Sequence, residues 1–367
     1  MGKITARIKT MQDMEAAFYG GQIEMEKAMA PIISSTTGVY QAVFGAKVWV
    51  NLNQEANLAG ILPKKVWEKS GERLITARAA ATGGGYTENA ALPDTIKPTF
   101  NTYSQKPKTI VHTFDVSETA QFLSGVDDGL GDAMKVMREQ IGTHHAEMMN
   151  IMLGTDNDTL AGTNLESLDR ICGSYSEITG CGQTAGDLDI FGLDRDAAAS
   201  FADAQVSHNS NTDRPLELTL LNAEFNTIWK AKGKPKVLAT GYETLTAINE
   251  LMEPQRYFMN AAKVVPTYNG IEGVQEGVEG GFYVATYNGI PIIVSKDVCL
   301  DTLPRIYFLD TDYLWMKVAK PTQYFEEGIS KGNPFAVNRA GDEGMYRTMM
   351  EPTCPFLGAQ GKIRDLK

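Results

Sequence analysis

The sequence predicts an α+β chain, and three observations predict it. Residues 63–115 are a long, polar segment with glycines at its middle and little core of its own. Residues 127–153 repeat apolar side chains at helical spacing. From Leu216 the pattern turns compact, with short helices and strands that close on a strand-rich C-terminus.

The 367 residues are enough for two or three packed units. A content of 43% hydrophobic and 22% charged residues is that of an ordinary globular protein. No stretch approaches the roughly 18–20 apolar residues needed to cross a bilayer. The run Met1-Gly2-Lys3-Ile4-Thr5-Ala6-Arg7 lacks the apolar core of a signal peptide, and Ala6 stands where a myristoylation signal has Ser or Thr.

Taken in order, Met11, Met14, Phe18, Met25 and Met29 suit an amphipathic helix, interrupted by Gly20-Gly21 and ended by Pro31. Residues 1–45 read as an N-terminal arm. Residues 64–80 and 95–116 read as two β-favouring stretches, the first through Val66, Leu74 and Ile75, the second through Ile110, Val111 and Phe114. Ala79 to Tyr86, with Gly83-Gly84-Gly85, lies between them as the tip of a two-stranded arm. Strands of about 15 residues would reach roughly 50 Å at about 3.3 Å per residue. An isolated hairpin is only marginally stable in water, so a partner surface must hold it. Such an arm suits a subunit that lies across its neighbours.

Asp127 and Asp128 are placed to cap a helix carrying Leu130, Met134, Met137, Ile141, Met148 and Met152, ending at Gly154. Gly131 and Gly142 within it cost about 1 kcal/mol each relative to Ala. Residues 154–215 are polar and punctuated, with a short helix expected over Asp194–Val206. Further on, the pattern gives a helix with Leu220, Leu221, Phe225, Ile228 and Trp229, a buried strand at Val237–Thr240, and a helix from Tyr242 to Met252. A hairpin turns at Asn288-Gly289. Strands follow at Arg305–Leu309, Tyr313–Val318 and Gln323–Glu326, and Tyr346–Glu351 with Gly361–Leu366 read as a closing strand pair.

Net charge is −11 and unevenly spread. Residues 61–115 hold eight basic and five acidic side chains, and residues 116–367 hold 21 basic and 35 acidic. A basic arm beside an acidic body favours arm-to-neighbour contact and argues against sequence-specific nucleic-acid binding. Cys172, Cys181, Cys299 and Cys354 form no CxxC, and four histidines give no zinc set of familiar spacing. Cys172 and Cys181 are near enough in sequence to bridge in an oxidising compartment; free buried thiols are the expectation in cytosol.

Catalytic and ligand motifs are weak throughout. Gly83-Gly84-Gly85 lacks the Lys-Ser/Thr and the strand–loop–helix setting of a phosphate loop. His144-His145 with Glu147 point apart on a helix and read as packing or part-exposed residues. Asp156, Asp158 and Gly162 miss the glycine position of a calcium loop, which Ala161 occupies. Asp187, Asp189, Asp194 and Asp196 read as a solvated loop. No nucleophile elbow, HExxH or supported Cys–His pair appears, so the sequence nominates no enzyme active site.

With these residues in view, the order of pieces resembles the major capsid proteins of tailed bacteriophages and tailed archaeal viruses, the Hong Kong 97-type fold. The N-terminal arm, the extended loop and the spine helix follow that family's order. Gly154 to Asp158 and Gly162 to Leu165 are similar to its turn after the spine helix. Val237–Met252 resembles its axial-domain strand, turn and helix, and Asn288 to Val294 resembles the strand that follows. Phe308 to Tyr313 is similar to its turn back to the peripheral domain. The resemblance implies an N-terminal arm over 1–62, an extended loop over 63–115, and a peripheral domain over 116–158 with the spine helix at 127–153. It implies an axial domain over 159–318 and closing peripheral strands with a loop over 319–367.

The implied function is structural, with no enzyme activity and no cofactor. Subunits assemble as pentamers and hexamers into an icosahedral shell around double-stranded DNA, in the virion after assembly in the host cytoplasm. The partners implied are further copies of the chain, with portal and scaffolding proteins. The residues placed at assembly contacts are Gly83, Gly84, Gly85 and Tyr86 at the arm tip, Arg73 and Arg78 on the arm, and Asn333, Arg339, Asp342 and Glu343 in the peripheral loop. Some relatives join subunits by an isopeptide bond between a loop Lys and an Asn near the peripheral loop. Residues 79–96 contain no lysine and Lys97 lies on the returning strand, so cross-linking is not expected even with Asn333 and Asn338 present. The chain begins almost at the arm, which implies separate scaffolding or a trimmed chain. Encapsulins, cellular compartments of the same fold, are the alternative, and an α/β enzyme with an unseen site is the other.

Overall fold

A computed structural model describes residues 57–78, 98–126, 133–156, 162–182, 190–197, 200–252, 262–267, 270–274, 282–333, 337 and 339–367. The expected N-terminal helix, the arm tip and the caps at Asp127 and Asp128 lie outside these residues. In chain order the main elements are α1 (Asn57–Ile61), β1 (Lys64–Val66), β2 (Gly71–Arg78), β3 (Pro98–Ser104), β4 (Lys108–Ser117), α2 (Glu118–Val126) and α3 (Ala133–Gly154). There follow α4 (Leu168–Ile171), α5 (Tyr175–Cys181), β5 (Gln205–Ser207), α6 (Leu218–Lys230), β6 (Val237–Thr240) and α7 (Tyr242–Met252). The rest are strands: β7 (Ala262–Thr267), β8 (Gly270–Val274), β9 (Phe282–Val284), β10 (Thr286–Tyr287), β11 (Ile290–Val294), β12 (Ile306–Leu309), β13 (Trp315–Gly328), β14 (Gly341–Thr353) and β15 (Gly361–Ile363).

The chain divides into two compact units, the larger of Glu55–Thr109, Met149–Ala319 and Met349–Lys367. Its six-stranded sheet has the order β10-β11-β6-β12-β15-β5. Strands β6 and β12 are buried along their whole length, so both read in the sequence as unbroken apolar runs rather than alternating ones. Helix α6 sends Leu221, Phe225 and Ile228 into a core with Leu238, Ile248, Ile292, Phe308 and Ile363. Phe225 meets the Phe308 ring edge-on at 4.9 Å. At the hairpin turn, Asn288 and Gly289 take φ values of 52° and 78°, the left-handed pair that a two-residue primed turn requires. Asn150 accepts from the N–H groups of Leu58 at 2.8 Å and Ala59 at 3.2 Å, satisfying donors in the first turn of α1.

The segment 154–215, polar in sequence, holds buried charge. Asp169 accepts from Lys362 at 3.1 Å, Arg305 at 3.0 Å and the Tyr307 hydroxyl at 3.0 Å. Glu177 accepts from Lys362 at 2.8 Å and Arg364 at 2.9 Å, and its other oxygen accepts from the Ser174 N–H at the start of α5. Burial alone pushes the Asp169 carboxyl up, but Lys362 and Arg305 outweigh it and hold the group well below its ordinary range. Cys172, Cys181 and Cys354 are buried free thiols and Cys299 is a half-buried one.

The smaller unit, in which residues 110–126, 133–148, 320–333, 337 and 339–348 are described, packs Phe114, Val116, Ala120 and Leu123 against Ala133 and Met134. Ser117 caps α2, its hydroxyl accepting from the Ala120 N–H at 3.2 Å. Ser124 and Gln121 accept from Ala133 and Met134, the first N–H groups of α3. Gly142 has a packing reason: a Cβ there would sit 3.2 Å from the Tyr346 hydroxyl, which donates to the Arg138 carbonyl at 3.1 Å.

Several expectations need correction. Among the described residues the arm's ladder is β2, with 8 residues, against β3, with 7, a reach of about 26 Å. Strand β1 pairs instead with Met316 to Val318, and β4 joins the four-stranded sheet β1-β13-β14-β4. The alternation of Ile110, Phe114 and Val116 buries one face of β4, which an arm strand could not do. Among the described residues of 194–206, a 3-10 turn at Ser200–Ala202 and β5 stand in place of the expected helix. The two strands expected at Tyr313–Val318 and Gln323–Glu326 are one, β13, running through Pro321. The C-terminal strands do not pair with each other, because β15 lies between β12 and β5.

Candidate assembly site

The turn from β13 to β14 gathers four of the expected assembly residues. Gly328 ends β13 at φ 138°, and a Cβ there would lie 2.4 Å from the Gly341 carbonyl oxygen. That close approach admits only glycine. The Asn333 N–H donates to the Gly328 carbonyl at 3.0 Å, and the Asn333 side-chain amide donates to Glu327 at 2.8 Å. Asp342 is buried, and its carboxylate accepts from the Ser330 N–H at 2.8 Å, so it holds the turn rather than facing outward. Arg339 is exposed, pairing with Asp115 at 3.0 Å and with Glu343. Beside them Arg138 donates to Glu326 at 2.8 Å and lies over the Tyr324 ring at 4.6 Å. The hydrogen bond with Tyr324 and the Glu326 carboxylate keep that guanidinium charged.

The hairpin β2–β3 belongs to the larger unit. Its base is anchored: Tyr103 is buried, donates to the Thr353 hydroxyl at 3.1 Å and meets Phe191 edge-on at 5.0 Å. Lys317 pairs with Glu72 at 2.8 Å. Farther out, Ile75 and Phe100 face each other across the ladder, 54% and 57% exposed. Arg73 is exposed opposite Thr102, and Arg78 ends β2 opposite Pro98. Gly83, Gly84, Gly85 and Tyr86 lie outside the described residues.

No protein-family model and no curated protein matches this sequence. Solved structures do match. The capsid asymmetric unit of cyanophage A-1(L) aligns with a TM-score of 0.61 at 13% identity, over 88% of this chain and 96% of that one. The capsid of a native GTA particle aligns at 0.54 and 11% identity, over 95% and 97%. The fold is the Hong Kong 97-type capsid fold. An encapsulin, SrpI from Synechococcus elongatus PCC 7942, also aligns, at 0.51 and 11% identity over 88% and 93%, so the fold itself does not separate virus from compartment.

Within this capsid fold, sequence reasoning missed a histidine pair in the smaller unit. His112 on β4 and His145 on α3 bring their Nδ1 atoms to 2.7 Å, and His145 Nε2 meets the Thr348 hydroxyl at 2.7 Å. One ring must donate and the other accept. Burial, then the neighbouring His112 and His144, push His145 down to about 4, and burial and His144 lower His112. The only sequence signal was the alternation that put His112 in line with Ile110 and Phe114. Among the other motifs, Asp156 pairs with Arg305 at 3.2 Å, and Asp194 and Asp196 are exposed. Among the described residues, no helix is long and apolar enough to cross a membrane.

Proposed function

We propose that this chain is a structural, non-enzymatic major capsid protein of a tailed virus. Copies associate as pentamers and hexamers and close an icosahedral shell around double-stranded DNA. The observation that carries the reading is the anchored hairpin whose outer face presents Ile75 and Phe100 to solvent, on a chain with the capsid fold over most of its length. An apolar cross-strand pair left exposed in one subunit gains its stability when a neighbouring copy covers it. Symmetry then repeats that contact many times, so a shell needs no single strong interface. The extended loop over 63–115, Arg73 and Arg78 on it, and the turn with Asn333, Arg339 and Glu343 are the contact regions in this reading. Portal and scaffolding proteins are the further partners, and the virion is the location.

Electron microscopy of negatively stained, untagged protein tests it. Closed shells, or rings of five and six, are expected. A uniform field of monomers or dimers across salt and concentration would sink the reading. The alignment with an encapsulin supports a second reading, a cellular compartment. Particles from the native host decide between them: nuclease-protected DNA supports the capsid, and a co-purifying enzyme cargo supports the compartment.

A further inference from the structure

In the larger unit, three chain segments far apart in sequence end at one place. Cys181 is the last residue of α5, His208 follows β5, and Asp365 follows β15. One ligand atom from each, the Cys181 sulfur, a His208 ring nitrogen and an Asp365 carboxylate oxygen, lies within 4.8 Å of the others. Cys181 and Asp365 are buried and His208 is half-buried. We propose that Cys181, His208 and Asp365 bind one zinc ion, with water completing a tetrahedral shell.

The donor set fits. Thiolate, imidazole and carboxylate are the three protein ligand types zinc takes. Bonds of about 2.0–2.3 Å at tetrahedral angles bring ligand atoms to about 3.3–3.7 Å of one another, so side-chain shifts of about an ångström or less close the site. The surroundings hold the ligands in place. The Asp365 carboxylate accepts from the N–H groups of Asn209 at 2.6 Å and Asn211 at 3.2 Å on one oxygen, and from Arg364 at 3.0 Å on the other, which keeps a lone pair for a metal. The Asn211 side chain donates to the Cys181 carbonyl at 2.7 Å, tying the turn after β5 to the end of α5. Gly180 makes room for the imidazole, since a Cβ there would lie 2.4 Å from His208 Cε1. His208 Nδ1 accepts a long 3.4 Å contact from the Ser210 N–H, which is readily given up on binding.

Charge also balances. The Cys181 thiol releases its proton on binding. Thiolate and carboxylate then supply two negative charges against the divalent cation. The nearby Arg364 guanidinium is shared between Glu177 at 2.9 Å and Asp365 at 3.0 Å.

The test uses the full-length protein stripped of metal and titrated with zinc or cobalt(II) alone. One equivalent of zinc is expected to bind and raise the thermal midpoint. Cobalt(II) is expected to give a thiolate-to-metal charge-transfer band that Cys181→Ser abolishes and Cys299→Ser leaves intact. His208→Ala, a change at a half-buried position, is expected to weaken zinc binding by at least about tenfold and keeps the test open if Cys181→Ser fails to fold. A wild-type protein with no cobalt–thiolate band overturns the proposal. So does a band that survives Cys181→Ser, or zinc affinity unchanged in His208→Ala.

Discussion

Two charged regions of this molecule look alike in sequence and differ in use. In the larger unit, Asp169, Glu177, Lys362, Arg305 and Arg364 are removed from water and satisfy one another. In the smaller unit, Arg339, Asp115 and Glu343 meet where water reaches them, beside the exposed Asn333. A buried ion pair adds little over apolar packing when complete, but leaves an uncompensated charge when one partner is lost. An exposed pair holds its subunit weakly and stays free to exchange partners. The buried set therefore fixes which strands and helices meet, and the exposed set is available to a neighbouring copy.

Breaking the buried set should have the largest effect. Asp169→Ala takes the acceptor from the buried Tyr307 hydroxyl, leaves Glu177 alone to face Lys362 and leaves Arg305 with Asp156 and Asp301, and is expected to cost about 3–5 kcal/mol, read from urea unfolding of dissociated subunits. A loss below about 1 kcal/mol would erase the contrast between the two regions. Replacing Asp169 and Lys362 together by Leu and Met should recover part of that loss.

The histidine pair of the smaller unit comes next, with His145 buried and His112 half-buried. An unfolded histidine takes a proton near 6.5, whereas folded His145 resists until about 4. The unfolded chain therefore binds more protons in that window, and stability falls as pH drops from about 6.5 to 4. The difference between wild type and His145→Gln should grow by about 2–3 kcal/mol in the variant's favour across the window. Parallel pH profiles for the two proteins would remove His145 from the account.

Arg339→Ala should change subunit stability by less than about 1 kcal/mol while lowering the yield of closed particles. Smaller still is the effect of Ile75→Ser with Phe100→Ser on the isolated subunit, within about 0.5 kcal/mol, again with impaired assembly. Normal shells from the second variant would take the hairpin out of the assembly argument. Rising salt should weaken capsomer association if the basic arm docks on an acidic body, and salt-independent association would reduce that asymmetry to chance.

Much of the fold was legible because it is local. Leu221, Phe225 and Ile228 repeat at helical spacing and form one face of α6. Asn288-Gly289 marks a turn through its own backbone preference. The turn residues Asn333, Arg339, Asp342 and Glu343 were placed by resemblance, and the geometry separates them: Asp342 braces the loop while Arg339 is exposed. Strand partners were not legible. β4 looks like an arm strand until Ile110, Phe114 and Val116 are seen to share a buried face.

The sequence by itself determined the succession of elements, the long α3, the buried strands β6 and β12, and the basic bias of residues 61–115 against the acidic remainder. These follow from spacing and composition, which act over a few residues. Only the tertiary structure decided that Lys362 is fully buried against Asp169 and Glu177, that His112 meets His145, and that Cys181, His208 and Asp365 converge. A lysine or histidine reads as a surface residue until folding removes its water, and which partner then compensates it depends on segments far away along the chain.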